Sequence, residues 1–72
     1  MDPKKANSLL AKRIIALRKG QNMTSQQLAI KIGMSSSGLR YIEREKKDPR
    51  FSSLFAIAKG LQMPVHKLVE LE

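Results

Sequence analysis

The side chains capable of covalent chemistry are few in this chain, and none is spaced to perform it. Ser36 and Ser37 are neighbouring hydroxyls, with no histidine and carboxylate placed to activate and orient either as a nucleophile. His66 is the only histidine and cysteine is absent, which excludes a histidine cluster, a thiolate metal site and a disulfide framework. The six acidic residues are scattered, which argues equally against a hydrolase. The expectation is a protein that is not an enzyme and holds neither metal nor cofactor.

What the chain has in quantity is positive charge. Fourteen Lys and Arg against six Asp and Glu give a formal net charge of +8 in 72 residues. The bases cluster: Lys4, Lys5, Lys12, Arg13, Arg18 and Lys19 lie in the first nineteen residues, and Arg40, Arg44, Lys46, Lys47 and Arg50 in the next dense stretch. The last 22 residues carry only Lys59 and Lys67, set against Glu70 and Glu72. A polyanion would meet the front two-thirds and leave the last third for another partner, and a merely solubilising surface is the alternative on composition alone. Three aromatic residues, Tyr41, Phe51 and Phe55, leave little for a base-stacking platform.

Length sets the scale of the elements. Seventy-two residues form one domain or part of one, and 42% apolar content is too high for a disordered basic tail. A core this small is marginal alone, which favours dimerisation. No apolar run approaches the roughly 20 residues of a membrane span. The start, Met1-Asp2-Pro3-Lys4-Lys5, lacks the apolar stretch of a signal peptide, which predicts a cytoplasmic protein.

Five short helices fit the apolar spacing, and nothing reads as a strand. Leu10, Ile14 and Leu17 line one face of a first helix from about Ser8 to Lys19, with Gly20 just past its end. Thr24 and Gln27 form a capping-box pattern opening a second helix, which Gly33 stops. Ser35 caps a third helix running to about Glu45, with Leu39 and Ile42 inward. Pro49 disfavours helix at the residue before it, so Lys46 to Pro49 is a loop. Ser52 or Ser53 caps a fourth helix bearing Leu54, Ile57, Ala58 and Leu61, and Pro64 suits the first turn of a fifth. Residues 1–7 precede these elements as a basic arm, and residues 8–72 form the domain.

The second and third helices carry the most information. Gly33-Met34-Ser35 is too short for anything but a sharp turn, and two helices so joined make a helix-turn-helix. Ala29 supplies the small residue where the backbones meet, and Gly33 the position that tolerates positive φ. Leu28, Ile32, Met34, Leu39 and Ile42 supply five buried positions.

These residues resemble the Cro/repressor-type, or Xre-like, helix-turn-helix family. Met23 to Ser35 matches its "MTQEELAEKLGVS" pattern without a gap, Leu39-Arg40-Tyr41-Ile42-Glu43-Arg44 matches "ISRIER", and Leu54 to Leu61 matches "LLKIAKAL". The resemblance runs from about Leu10 to Leu68. It implies an all-α, five-helix bundle of the lambda-repressor-like DNA-binding type, a homodimer, and binding to double-stranded DNA at an operator of two half-sites. The small size resembles phage Cro-like proteins and the controller proteins of restriction–modification systems.

By that resemblance the third helix enters the major groove, with Ser36, Ser37, Arg40 and Tyr41 at base-reading positions. Arg40 is the strongest of the four, since a guanidinium bonds guanine O6 and N7 together, for roughly 1–3 kcal/mol of discrimination. Thr24, Ser25 and Gln26 fall where the second helix meets a phosphate; Ser25 replaces a frequent Gln, while the helix amides there remain available. Lys46 and Lys47 are expected on phosphates, and Arg50 at a position that lies against a narrow minor groove. Lys4 and Lys5 form either a flexible basic arm or a disordered start. Gly38 replaces a larger residue, permitting close approach to DNA or marking a lost contact.

Other residues read as structure. Arg18 and Glu43 match an internal ion pair of lambdoid repressors, and His66 is an ordinary surface histidine. Ile30 points outward. The surface that touches RNA polymerase in some phage activators is acidic, and the second helix here holds no carboxylate; repression is favoured, with polymerase contact open through another surface. Phe55 lies about 100° off the core stripe of the fourth helix. With Met63, Val65, Val69 and Leu71 it forms either a C-terminal dimer patch or a cap on the monomer core. Dimerisation there would set two recognition helices about 34 Å apart. The competing functions are a protein-interaction module of antitoxin or anti-repressor type, and a nonspecific nucleoid-type binder.

Overall fold

The computed structural model describes residues 2–71, and among them every regular element is a helix. The order is α1 (Pro3–Gly20), α2 (Ser25–Ile32), α3 (Ser36–Glu43), α4 (Phe51–Gly60) and α5 (Val65–Leu68). The core draws Leu10 and Ile14 from α1, Leu28 and Ala29 from α2, Leu39 and Ile42 from α3, Ile57 and Ala58 from α4, then Leu61 and Leu68. It is entirely aliphatic, and Tyr41, Phe51 and Phe55 are all exposed. No described helix is long and apolar enough to cross a membrane.

α1 begins five residues earlier than its apolar spacing predicts, so the expected arm is helix from Pro3 onward; Met1 lies outside the described residues. The cause is local. Asp2 takes the N-cap position and its carboxylate accepts the amide of Lys4 at 3.0 Å, while Pro3 has the first-turn φ built into its ring.

Four helices close with the same pair of backbone bonds. After α1, Asn22 N–H donates to Lys19 O and Met23 N–H to Arg18 O; after α2, Gly33 to Ile30 and Met34 to Ala29. After α3, Glu45 donates to Ile42 and Lys46 to Tyr41; after α4, Gln62 to Lys59 and Met63 to Ala58. This is the Schellman closure, whose turning residue is left-handed. Gly33 fills it at φ +70°, as expected, whereas Asn22, Glu45 and Gln62 do so at φ 59°, 61° and 60°. Gly20 is therefore not the turning residue of α1; Asn22 is. Met23, Met34 and Met63 follow three of these turns and pack against the core, which anchors each closure.

The remaining boundaries shift for similar reasons. α3 ends at Glu43, two residues short of expectation, because the chain turns at Glu45. α4 is capped by Arg50 without a side-chain bond, so Ser52 and Ser53 lie inside its first turn. Pro64 precedes α5 as its N-cap, and α5 is a single turn. Arg13 of α1 covers its carbonyl end, Nε donating to Leu68 O at 3.0 Å and a terminal nitrogen to Lys67 O at 2.8 Å. Gln21 serves α4 likewise, donating to Leu61 O at 3.0 Å.

Glycine permits one close approach in the interior. A Cβ at Gly60 would lie 2.3 Å from Ile32 Cγ2 and 3.2 Å from Leu28 Cδ1, so its absence lets α4 settle against α2.

Candidate nucleic-acid interface

The helix-turn-helix is assembled by bonds between near neighbours. Thr24 Oγ1 accepts the Gln27 amide at 3.1 Å, and Gln27 Oε1 accepts the Thr24 amide at 2.8 Å, completing the capping box. Ser35 Oγ accepts the Gly38 amide at 3.0 Å and starts α3. Leu39 and Ile42 then anchor α3 in the core. A Cβ at Gly38 would stand 2.8 Å from Ser35 Oγ, the mobile end of a serine side chain, a contact that a small rotation of that hydroxyl relieves.

Anchoring Leu39 and Ile42 decides which side of α3 faces out. Ser37, Arg40, Tyr41 and Arg44 recur at i, i+3, i+4, i+7 and all are exposed. Ser36 lies about 100° around the helix from Ser37, toward Glu43, and is half-buried; it stands off the outer stripe. Arg44 was not among the expected site residues. Its spacing from Ser37 and Arg40 was the available signal.

At the head of α2, Thr24 and Gln26 are exposed, whereas Ser25 is half-buried. Its Oγ is shut off from solvent and has no hydrogen-bond partner among the described residues. Ser25 therefore offers its amide rather than its side chain. The amides of Ser25 and Gln26 lie in a first turn that no intrahelical carbonyl reaches, so they suit an outside anion.

Lys46, Lys47 and Arg50 are exposed on the segment after α3. The neighbouring carboxylates are partly engaged. Arg18 binds Glu43 with two parallel 2.9 Å bonds, Nε to Oε2 and the second nitrogen to Oε1, and donates to Met23 O at 3.2 Å. The Glu43 hydrogen bond raises the Arg18 pKa above the ordinary arginine value, against the opposing effect of burial. Asp48 accepts a hydrogen bond from the Asn7 amide nitrogen. The outer surface is thus left with Arg40, Arg44, Lys46, Lys47 and Arg50 against Glu45 and a bonded Asp48.

The expected C-terminal patch divides. Phe55 and Val69 are exposed, whereas Met63, Val65 and Leu71 are half-buried and pack against the core. Ile30 is exposed, as its wheel position predicts.

The fold and this outward stripe define a helix-turn-helix protein. The sequence profile of the HTH_3 family, described as helix-turn-helix, matches residues 14–68, and the chain belongs to that family. It is 40% identical over 60 residues to the immunity repressor protein of Bacillus phage phi105, a match covering 83% of this chain and 42% of that protein. The chain thus spans about two-fifths of that relative's length. Among solved structures, an HTH_3 family transcriptional regulator from Vibrio cholerae superimposes with a TM-score of 0.86 at 27% identity, over 93% of this chain and 38% of that one. A hypothetical transcription factor, NHTF, from Neisseria shares the fold at a TM-score of 0.86 and 19% identity, covering 94% of this chain and 76% of its own.

Proposed function

We propose that the chain is a sequence-specific double-stranded DNA-binding transcriptional regulator of repressor type, acting as a homodimer on two half-sites. One observation carries the reading. The side chains that can read base edges, Ser37, Arg40, Tyr41 and Arg44, share the exposed face of a helix whose opposite face is locked into the core. Arg40 and Arg44 supply bidentate donors, and the exposed phenol of Tyr41 supplies a donor–acceptor or an apolar edge. Ser36 has at most a flanking role. The amides at the head of α2, with Lys46, Lys47 and Arg50, hold phosphates and so fix the register of α3 in the groove. Kinship with a phage immunity repressor favours repression.

Selection of binding sites from random duplexes tests this directly. A paired motif with half-sites about one DNA turn apart supports both specificity and dimer symmetry. With about six phosphates neutralised, log K against log salt falls with a slope near −5, and a slope near zero defeats the mechanism. Arg40→Ala relaxes sequence preference while Lys47→Ala weakens all duplexes alike; identical behaviour would refute the division of roles.

The exposed side chains of Ile30, Phe55 and Val69 favour a second reading, a protein-interaction module on the same fold. A tightly copurifying partner together with no DNA affinity at low salt decides for it.

A further inference from the structure

Resting on the DNA-binding reading, we infer that Lys4 is a fixed phosphate contact, built into the same backbone track as Lys46, Lys47 and Arg50 and held there by the bond between Asn7 and Asp48. The argument begins from the helical start of α1. Lys4 lies in the first turn of an 18-residue helix rather than in a loose arm. It precedes Asn7 by three residues and shares its face, and that face continues into the buried Leu10, Ala11 and Ile14. Lys4 is thus the exposed outer end of the line that α1 presses against the rest of the molecule.

Asn7 is where that line meets the segment after α3. Its side-chain amide donates to the carboxylate of Asp48, the one acid among residues 46–50. The bond brings the first turns of α1 beside a segment rich in exposed bases, although the two are far apart in sequence. It also gives the acid a hydrogen-bond partner inside the protein. The N-terminal end of α1 is already occupied, since the Asp2 carboxylate accepts the Lys4 amide. The same carboxylate sets a negative charge over the remaining amides of that turn, which favours the Lys4 ammonium over the helix amides as the group that meets a phosphate.

The test uses the full chain and a labelled duplex carrying the selected site, titrated over a range of salt. Lys4→Gln should reduce the steepness of the salt slope by about 1 and weaken binding ~3–10-fold at moderate salt. Lys19→Gln makes the same charge change on the same helix, about 22 Å further along its axis, and should leave the slope unaltered. Asn7→Ala changes no charge, yet in that background Lys4→Gln should lose more than half of its effect. Equal slopes for wild type and Lys4→Gln overturn the inference, as do equal effects of the Lys4 and Lys19 variants, which would signify diffuse charge. A full Lys4 effect without Asn7 overturns the fixed placement. A wild-type chain that does not bind duplex at all defeats the DNA-binding reading instead, so the two failures are distinct.

Discussion

Arg18 and Glu43 are joined through two parallel 2.9 Å bonds that tie the end of α1 to the last residue of α3, with only 12% and 7% of their side chains exposed. α3 is thereby held at both ends, by Ser35 at its start and by Arg18 at its finish. Arg18→Met strands the Glu43 carboxylate and should lower unfolding free energy by about 3 kcal/mol in urea titrations, whereas Arg18→Met with Glu43→Leu should recover part of the loss. Because the folded pKa of Arg18 is raised, the stability this group contributes is complete below the ordinary arginine value. It is lost only as pH climbs through the still higher folded value. Arg18 should therefore impose no pH dependence on stability through the neutral and mildly alkaline range, which unfolding curves at several pH values will check.

The packing of α2 on α4 depends on a missing methyl group. A Cβ at Gly60 would intrude to 2.3 Å from Ile32 Cγ2, far inside contact distance. Gly60→Ala should therefore cost about 1–3 kcal/mol despite the better helix propensity of alanine. Ile32→Ala removes the obstructing atom. If the clash is the cause, the double variant should be more stable than the sum of the two single losses predicts, by at least about 0.5 kcal/mol in a thermodynamic cycle.

Glu45 turns the chain after α3 at φ 61°, a conformation that costs a side-chain-bearing residue roughly 1 kcal/mol. Glu45→Gly should raise the melting temperature by relieving it, the net gain being about 0.5 kcal/mol because glycine also gains freedom when unfolded. The same change removes an exposed acid between Arg44 and Lys46. Tighter duplex binding at low salt should accompany the stabilisation, and should fade as salt screens the site.

The parts legible in the sequence were those written in adjacent residues. Thr24 with Gln27, Gly33, and Ser35 specify the caps and turn of the helix-turn-helix over one helical turn each, and their bonds stand where the pattern placed them. Asp2-Pro3 held a helix-start signal of the same kind, but no large apolar residue follows until Leu9, so periodicity began counting too late. Long-range bonds left no such trace. Arg13 and Gln21 cap the carbonyl ends of α5 and α4 from far earlier in the chain, and the need for a glycine at position 60 arises only where two helices touch. The left-handed turns at Glu45 and Gln62 are set by the closure of α3 and α4, which residue type alone does not announce. Helix phase accounts for the partial burial of Ser36 and Ser25: anchoring of the neighbouring apolar residues turns each toward the domain.

The same sorting sharpens what a dimer interface would use. Met63, Val65 and Leu71 already pack part of their apolar surface against the core, so removing any of them should damage the monomer first. Phe55 at 55% exposure and Val69 at 42% remain for association. Burying the rest of a phenylalanine on each of two symmetry-related protomers is worth roughly 1 kcal/mol per copy, and an isologous contact counts every substitution twice. Phe55→Ser should thus weaken self-association by about 30-fold in sedimentation equilibrium while leaving helical content unchanged, and Val69→Ser somewhat less. Duplexes carrying one half-site should be bound by the Phe55 variant as by wild type, because α3 is untouched. Duplexes carrying both should lose the advantage that joining two recognition helices confers. A variant that loses both kinds of binding equally would place Phe55 in the fold or on the DNA rather than between protomers.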